Sequence, residues 1–319
     1  MPSYIITGCD GFVAQHYMNL LARGDRQTVV VGIGRRPPDV IPTSVIFEFQ
    51  PVDLTNAREV NDVIKRCRST YIIHLSGMSS VARSWTSPGE SFSHNVGAAA
   101  NLFEAVRQYT PDTRILSIGS SEQYGRKRVT DLPLTEESSL VPTSPYAIAR
   151  CAQEQLAKLY VQSHHMNIVM TRSFNHIGPN QRPNFLIPSL VQAFAKAVSI
   201  SSKIVRVEAG DLSLVRDFVD VRDVVSAYQA ILLNAESGEV FNVCSGKGVR
   251  LRSLVDWLAE ISGLETTICV KPELLRPMEN PEIVGSYDKL ERMLGWKPTI
   301  GWKDSLREVF EMATSEILL

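Results

Sequence analysis

Tyr146 stands four residues before Arg150 in the segment Ser144-Pro-Tyr-Ala-Ile-Ala-Arg150. Side chains one helical turn apart share a face, so a helix here sets a phenol beside a permanent cation. The cation favours the phenolate, which suits a phenol that gives up its proton during a reaction. Near the start, an apolar segment runs into Gly8-Cys-Asp-Gly11-Phe-Val-Ala14. Glycines in such a turn let the backbone close on a pyrophosphate, and a small third residue lets the following helix pack on the strand. That helix offers free N–H groups and a partial positive charge to the phosphates. Together the two segments point to hydride transfer from a bound nicotinamide to a carbonyl, with Tyr146 supplying the proton.

Two further segments add to this chemistry. Ile118-Gly-Ser120-Ser-Glu122-Gln-Tyr124 follows an apolar run, which places Ser120 at the carboxyl end of a strand, where ligands bind in open α/β sheets. Its hydroxyl would steady a substrate oxygen while Tyr146 protonates it. Pro145 suits the first turn of a helix, leaving Tyr146 near the positive end of the dipole. After the second apolar run comes Gly32-Ile-Gly-Arg35-Arg36. An acidic residue there would bind the ribose hydroxyl of NAD, whereas arginine accommodates the 2′-phosphate of NADP. NADP(H) is therefore preferred, and NAD(H) stays open. Asp53 fits two roles, a contact to the adenine amine or the N-cap of the next helix.

These residues need a frame to hold them. Short apolar runs at Tyr4–Thr7, Val29–Ile33, Val45–Phe49, Tyr71–Leu75, Arg114–Ile118 and Ile168–Arg172 alternate with helical stretches at 12–24, 56–68, 92–109 and 145–164. That rhythm predicts βαβ units and a doubly wound parallel α/β sheet covered on both faces. It loosens beyond Arg172, where a helix near 185–198 and a strand near 203–209 belong to a smaller C-terminal α/β domain. The expected division is 1–172 for the dinucleotide and 173–319 for the substrate, with 216–245 returning to the first. The small-residue run Gly97-Ala-Ala-Ala100 suits close packing, within the chain or across a dimer seam.

The 319 residues carry a net charge of −1, with no basic stripe for nucleic acid and no apolar run of membrane-spanning length. Five scattered cysteines without paired spacing predict reduced thiols, a cytoplasmic setting and no metal site.

The chain resembles the extended short-chain dehydrogenase/reductase family, with its Rossmann-like sheet, and within it the GDP-4-keto-6-deoxy-mannose reductases. The likeness rests on the glycine turn, Ser120-Ser-Glu-Gln-Tyr-Gly125, Ser144-Pro-Tyr146, Arg172-Ser-Phe-Asn-His-Ile-Gly-Pro179, Arg216-Asp-Phe-Val-Asp-Val-Arg-Asp-Val224, Phe241-Asn-Val-Cys-Ser-Gly246 and Gly295-Trp-Lys-Pro298. It implies Ser120 and Tyr146 as catalytic hydroxyls and Arg150 at the position of the family's lysine. It implies Gly8, Gly11, Phe12, Val13, Leu54, Leu75 and Ser76 along the cofactor, with Tyr146 and Arg150 at its nicotinamide ribose. Ser80, Asn175, Arg216 and Arg276 would meet a GDP-linked sugar, and a homodimer is the family habit. Arginine at position 150 keeps the charge and the donors of lysine but cannot pass a proton by ionising. On charge alone, Arg150→Lys is expected to preserve or raise activity. Glu122 has the spacing of the proton-abstracting glutamate of the related 4,6-dehydratases, so a dehydratase or epimerase is the alternative to a reductase. A third reading is a nucleotide-binding protein whose chemistry was lost with the lysine.

Overall fold

A computed structural model describes residues 3–24, 27–183, 185–275 and 278–318. The first half alternates β1 (Ser3–Thr7), α1 (Phe12–Ala22), β2 (Thr28–Gly34), β3 (Val45–Pro51), α2 (Ala57–Arg66) and β4 (Tyr71–His74). After α3 (Val81–Thr86) and α4 (Pro88–Phe92), a π-helical turn at Ser93–Gly97 leads into α5 (Ala98–Tyr109). Next come β5 (Arg114–Ser120), a 3-10 turn at Ser121–Tyr124, α6 (Pro145–His164) and β6 (Ile168–Ser173).

The second half holds β7 (Asn175–Ile177), α7 (Leu186–Ser199), β8 (Ile204–Ala209), β9 (Val215–Asp220), α8 (Val221–Asn234) and β10 (Val240–Val243). It ends with β11 (Gly248–Arg250), α9 (Leu251–Ser262), β12 (Glu265–Val270), β13 (Glu282–Ile283), α10 (Asp288–Leu294) and α11 (Trp302–Leu318).

Seven parallel strands form the main sheet in the order β10-β6-β5-β4-β1-β2-β3. Its apolar runs are buried on both faces. Ile5 and Ile72 pack with Val60, Leu102, Phe103 and Ala157 from α2, α5 and α6. Their chain neighbours Ile6 and Ile73 point the other way, against Tyr17, Met18, Val224 and Tyr228 from α1 and α8. This two-residue alternation explains why unbroken apolar runs mark these strands. The order reverses direction between β1 and β4, a topological switch that opens a crevice at the carboxyl ends of those two strands.

The remaining strands are shorter. β11, β9, β13 and β7 make a four-stranded sheet and β12 pairs with β8. Helices α7, α9 and α11 cover a separate apolar cluster with them, including Phe194, Leu254, Leu258 and Leu306. β10 is hydrogen-bonded to β6 in the main sheet. Within the run Gly97–Ala100, Ala98 and Ala99 are buried in the core that α5 shares with α2. Among the described residues no helix is long and apolar enough to cross a membrane.

One carboxylate ties the C-terminal segment to the main sheet. Asp223 on α8 accepts from Thr299 N, Thr299 Oγ1 and Ile300 N, each at 2.8 Å, and is itself buried. Replacing it by alanine strands these donors without acceptors, at a cost of about 3 kcal/mol. Asp223→Ala is therefore expected to lower the thermal unfolding midpoint, whereas an unchanged midpoint would show that this tie carries no stability.

Candidate active site

The glycine turn lies on the switch crevice. Gly8 has φ +68°, a left-handed conformation that glycine adopts without strain. A Cβ added to it would sit 3.1 Å from both the N and Cα of Ser76, so the end of β1 and the segment after β4 approach as closely as backbones can. Gly11 N donates to Gly8 O at 2.9 Å, closing the turn, and α1 begins immediately afterwards with no side-chain cap. Its amino terminus thus presents backbone N–H groups to the crevice, which suits a pyrophosphate. Phe12 and Val13 open that helix, and the Phe12 ring reaches within 3.6 Å of the Cβ position of Gly178. Leu75 packs on the main core, while Ser76 N donates to Thr7 Oγ1.

Arg35 and Arg36 follow β2 and are exposed, with Arg36 at 3.5 Å from Asp10 in the glycine turn. Asp10 also bonds Arg182 at 2.9 Å, linking this loop to the segment before α7. Asp53 does not cap a helix: its carboxylate accepts from Thr55 N and Thr55 Oγ1, and Asn56 is the N-cap of α2. These bonds hold the Asp53 carboxyl below its ordinary range. Leu54 is buried, and its carbonyl accepts from Asn101.

Tyr146 sits in the first turn of α6, which starts at Pro145 and is capped by Ser144 accepting from Ala147 N at 3.1 Å. One turn on, Arg150 is buried with its guanidinium carbon 5.4 Å from the Tyr146 ring centroid. Arg150 Nη1 donates to Ile118 O at 3.1 Å, two residues before Ser120, so α6 and the end of β5 are joined directly. Burial, and then the charge of Arg150, push His74 down to about 3. His74 is thereby a neutral partner of Thr7, bonded through Nδ1 at 2.9 Å.

Ser120 ends β5, where its backbone N donates to Gln123 Oε1 at 2.8 Å and its hydroxyl accepts from Glu122 N at 3.3 Å. Gln123 in turn donates to Glu154, which binds Arg172 through two bonds of 2.8 and 2.9 Å. Arg172 also donates to the Tyr124 hydroxyl, which donates to Asn242. Burial by itself would raise the Glu154 carboxyl, but Arg172 and Lys158 outweigh it and bring it down to about 2. A buried chain of polar groups therefore runs from the serine turn through α6 to β6 and β10.

A crevice beside this turn is lined by Glu122, Ser144, Arg216, Glu279, Trp85 and Met278. Arg216, on β9, is buried and bonds Glu279 at 3.2 Å. Its neighbour Asp217 accepts from Ser245 N, Ser245 Oγ, Gly246 N and Gly285 N, pinning the strand that carries Arg216. Burial pushes Asp217 up to about 6 against those four bonds. Ser80 caps α3, accepting from Arg83 N at 3.1 Å, and that helix supplies Trp85 to the crevice. Asn175 donates to Asp217 O, beside Arg216 rather than in the lining. Arg276 lies outside the described residues.

Sequence reasoning passed over Gln123, Gln153 and Glu154. A signal was present: positions 146, 150, 153 and 154 share one helix face with Ala147, Ala149 and Ala157, all buried. Polar residues on a face of buried alanines must find partners inside the fold.

The cofactor fit is direct. The turn has the close backbone approach, the helix has open N–H groups, and Arg150 Nε is buried with no hydrogen-bond partner, while Nη2 lies 2.9 Å from where a Cβ on Gly77 would sit. Among the described residues, no group of three or more His, Cys, Asp or Glu is placed to hold a metal ion.

Glu154→Gln removes the charge that Arg172 needs and should destabilise the fold by about 3–5 kcal/mol at neutral pH. Because the folded Glu154 carboxyl lies below its ordinary value, its contribution is complete above about pH 4.5 and is lost as pH falls toward about 2. Acid unfolding followed by circular dichroism should thus show the two proteins converging below pH 4. Parallel curves down to pH 2 would contradict the assignment.

Known proteins resemble this chain in sequence and in fold. The profile of the family described as GDP-mannose 4,6 dehydratase matches residues 5–309. The chain is 32% identical over 304 residues to the GDP-6-deoxy-D-mannose reductase of Pseudomonas aeruginosa, covering 95% of this chain and 94% of that protein. The solved structure of RMD from Pseudomonas aeruginosa complexed with NADPH superposes with a TM-score of 0.83 at 30% identity, covering 99% and 98% of the two chains. The UDP-glucose 4-epimerase of Thermus thermophilus, in complex with NAD, gives 0.84 at 29% identity over 98% of each chain. The seven-stranded sheet is a Rossmann fold, and the chain belongs to the GDP-mannose 4,6-dehydratase family of extended short-chain dehydrogenase/reductases.

Proposed function

We propose that this chain reduces the 4-keto group of a GDP-linked 4-keto-6-deoxy hexose, converting GDP-4-keto-6-deoxy-D-mannose to GDP-D-rhamnose. The observation that carries the reading is the buried Tyr146–Arg150 pair, tied to the serine-bearing end of β5 through Ile118 O. The likeness to a GDP-6-deoxy-D-mannose reductase supports the sugar and the base.

When bound, the nicotinamide supplies a hydride with its electron pair to the keto carbon. Ser120 donates a hydrogen bond to the oxygen that takes up the carbonyl electron pair, and Tyr146 gives that oxygen its proton. Arg150 keeps positive charge beside the resulting phenolate. Its guanidinium stays charged, so the proton returns to Tyr146 from a ribose hydroxyl or water. Arg35 and Arg36 favour NADPH through its 2′-phosphate, with Asp53 and Leu54 at the adenosine end and Gly8, Gly11, Phe12, Val13, Leu75 and Ser76 along the cofactor. Arg216 meets the diphosphate, with Ser80, Glu122, Asn175 and Arg276 completing the sugar-nucleotide contacts.

Residues 1–172 hold the cofactor in this reading and 173–319 the nucleotide sugar, with α8 and β10 returning to the main sheet. The exposed Ile148 and Leu159 on α6 support a homodimer, and the protein works in the cytoplasm.

A second reading has an observation of its own. Glu122 lines the same crevice as Arg216, where a proton-abstracting carboxylate of a 4,6-dehydratase would stand. Absorbance of the reduced cofactor separates the two. A reductase consumes one NADPH per GDP-4-keto-6-deoxy-D-mannose, and Tyr146→Phe should lower kcat roughly 10²- to 10⁴-fold. Conversion of GDP-mannose with catalytic NADP and no net NADPH loss would instead establish the dehydratase. Binding of NADPH with no turnover of either sugar would leave a protein without the chemistry.

A further inference from the structure

We infer that Gln153 is a positioning residue for Arg150, the partner that lets an arginine work where the family has lysine. The inference rests on the proposed reductase reading, in which Arg150 stands in the place of the family lysine, beside the nicotinamide ribose. A guanidinium brings five N–H donors into its site, more than an ammonium and in a fixed plane. Arg150 is 5% exposed, so most of those donors need acceptors within the protein. Nη1 finds two, Gln153 Oε1 at 2.8 Å and Ile118 O at 3.1 Å.

Gln153 has only one usable orientation. It is 1% exposed, and its Nε2 donates to Ser117 Oγ at 3.0 Å and to Ile118 O at 3.3 Å. The Ile118 carbonyl can only accept, so the amide nitrogen must face β5 and the amide oxygen must face Arg150. Reversing the amide would set oxygen against oxygen on one side and donor against donor on the other. β5 thus fixes Gln153, and Gln153 fixes one edge of the guanidinium.

The opposite edge is left for other work. Nε has no hydrogen-bond partner, and Nη2 lies 2.9 Å from the place a Cβ on Gly77 would occupy. Asn95 Oδ1, also without a partner, crowds the same point from the π-helical turn. Gly77 follows Ser76 of the cofactor crevice, so the free edge of Arg150 is turned toward the segment that borders it. With Gln153 in place, Arg150 offers two adjacent N–H donors in a set direction, which fits the paired hydroxyls of a ribose. Without it, Nη1 keeps only the carbonyl that Gln153 shares, and the plane of the guanidinium is free to turn.

This changes the expectation for Arg150→Lys drawn from charge alone. Lysine would leave Gln153 Oε1 facing no donor, so the single exchange should lose activity rather than preserve it.

A double-mutant cycle on the full-length protein tests the coupling, with NADPH affinity read by fluorescence quenching and steady-state rates read on the keto sugar. Gln153→Leu should weaken NADPH binding and lower kcat, each by roughly tenfold, the loss of one hydrogen bond to a charged group. KM for the nucleotide sugar should stay within twofold. In the Arg150→Lys background the same Gln153→Leu change should have less than a twofold effect on either quantity. Gln153→Met, of nearly equal length, is run in parallel and should behave alike, so that a folding defect in one variant leaves the other to decide. Equal losses from the Gln153 change in both backgrounds would overturn the inference and make Gln153 a packing residue. So would full NADPH affinity in the Gln153 variants. Coupling in NADPH affinity without turnover of the keto sugar would refute the proposed reductase and sustain the Gln153 assignment, whereas turnover without coupling would do the reverse.

Discussion

The buried ion pair between Glu154 and Arg172 is the constraint on which the site depends. An isolated carboxylate at 3% side-chain exposure would be costly. Here both oxygens are used, by Arg172, Lys158 and Gln123, so the charge is matched and its lone pairs are satisfied. Such a pair is poor evidence of extra stability, since apolar residues of equal volume often do as well. What it provides is position. It locks α6, which carries Tyr146 and Arg150, to β6, and through Gln123 it fixes the backbone of Ser120. The elements that carry the Ser120 hydroxyl and the Tyr146 phenol are thereby tied to one another and to β6.

The same logic appears on the other side of the crevice. Asp217, buried with no ion-pair partner among the described residues, is satisfied by three backbone N–H groups and one hydroxyl, and it anchors the strand that carries Arg216. The turn at Gly8 is shaped by its contact with Ser76, at the switch between β1 and β4. The candidate catalytic and binding groups therefore hang from strand ends and the helices beside them, and buried polar groups set their directions. A frame of this kind does not by itself set the chemistry, which depends on the groups that stand in the crevice.

The sheet was legible in the sequence because its strands are buried on both faces, leaving unbroken apolar runs between amphipathic helices. The helix at 145–164 was legible to the residue, since Ser144 and Pro145 cap it and His165 ends it in a left-handed conformation. The stretch read as one helix over 92–109 is instead the end of α4, a π turn at Ser93–Gly97 and α5, a local change of winding that leaves no periodic trace. The small four-stranded sheet was not legible either. Its strands have two to six residues and pair across long separations, as Ile283 does with Arg216. At the site, Tyr146, Ser120 and the glycine turn announced themselves by type and spacing. Gln153 and Glu154 showed only as polar positions on a helix face of alanines, and Gln123 not at all, because a glutamine in a turn has no signature until its partners are known.

The destination of the hydride decides whether this site is a reductase. NADPH carrying deuterium at the transferred position of the nicotinamide, mixed with GDP-4-keto-6-deoxy-D-mannose and this protein, allows that to be read by NMR of the product. One deuterium per molecule at C4 of the reduced sugar, matched by one equivalent of oxidised cofactor, is the expected result. A product formed without deuterium at C4, or conversion with the reduced cofactor left intact, would contradict reduction at this site.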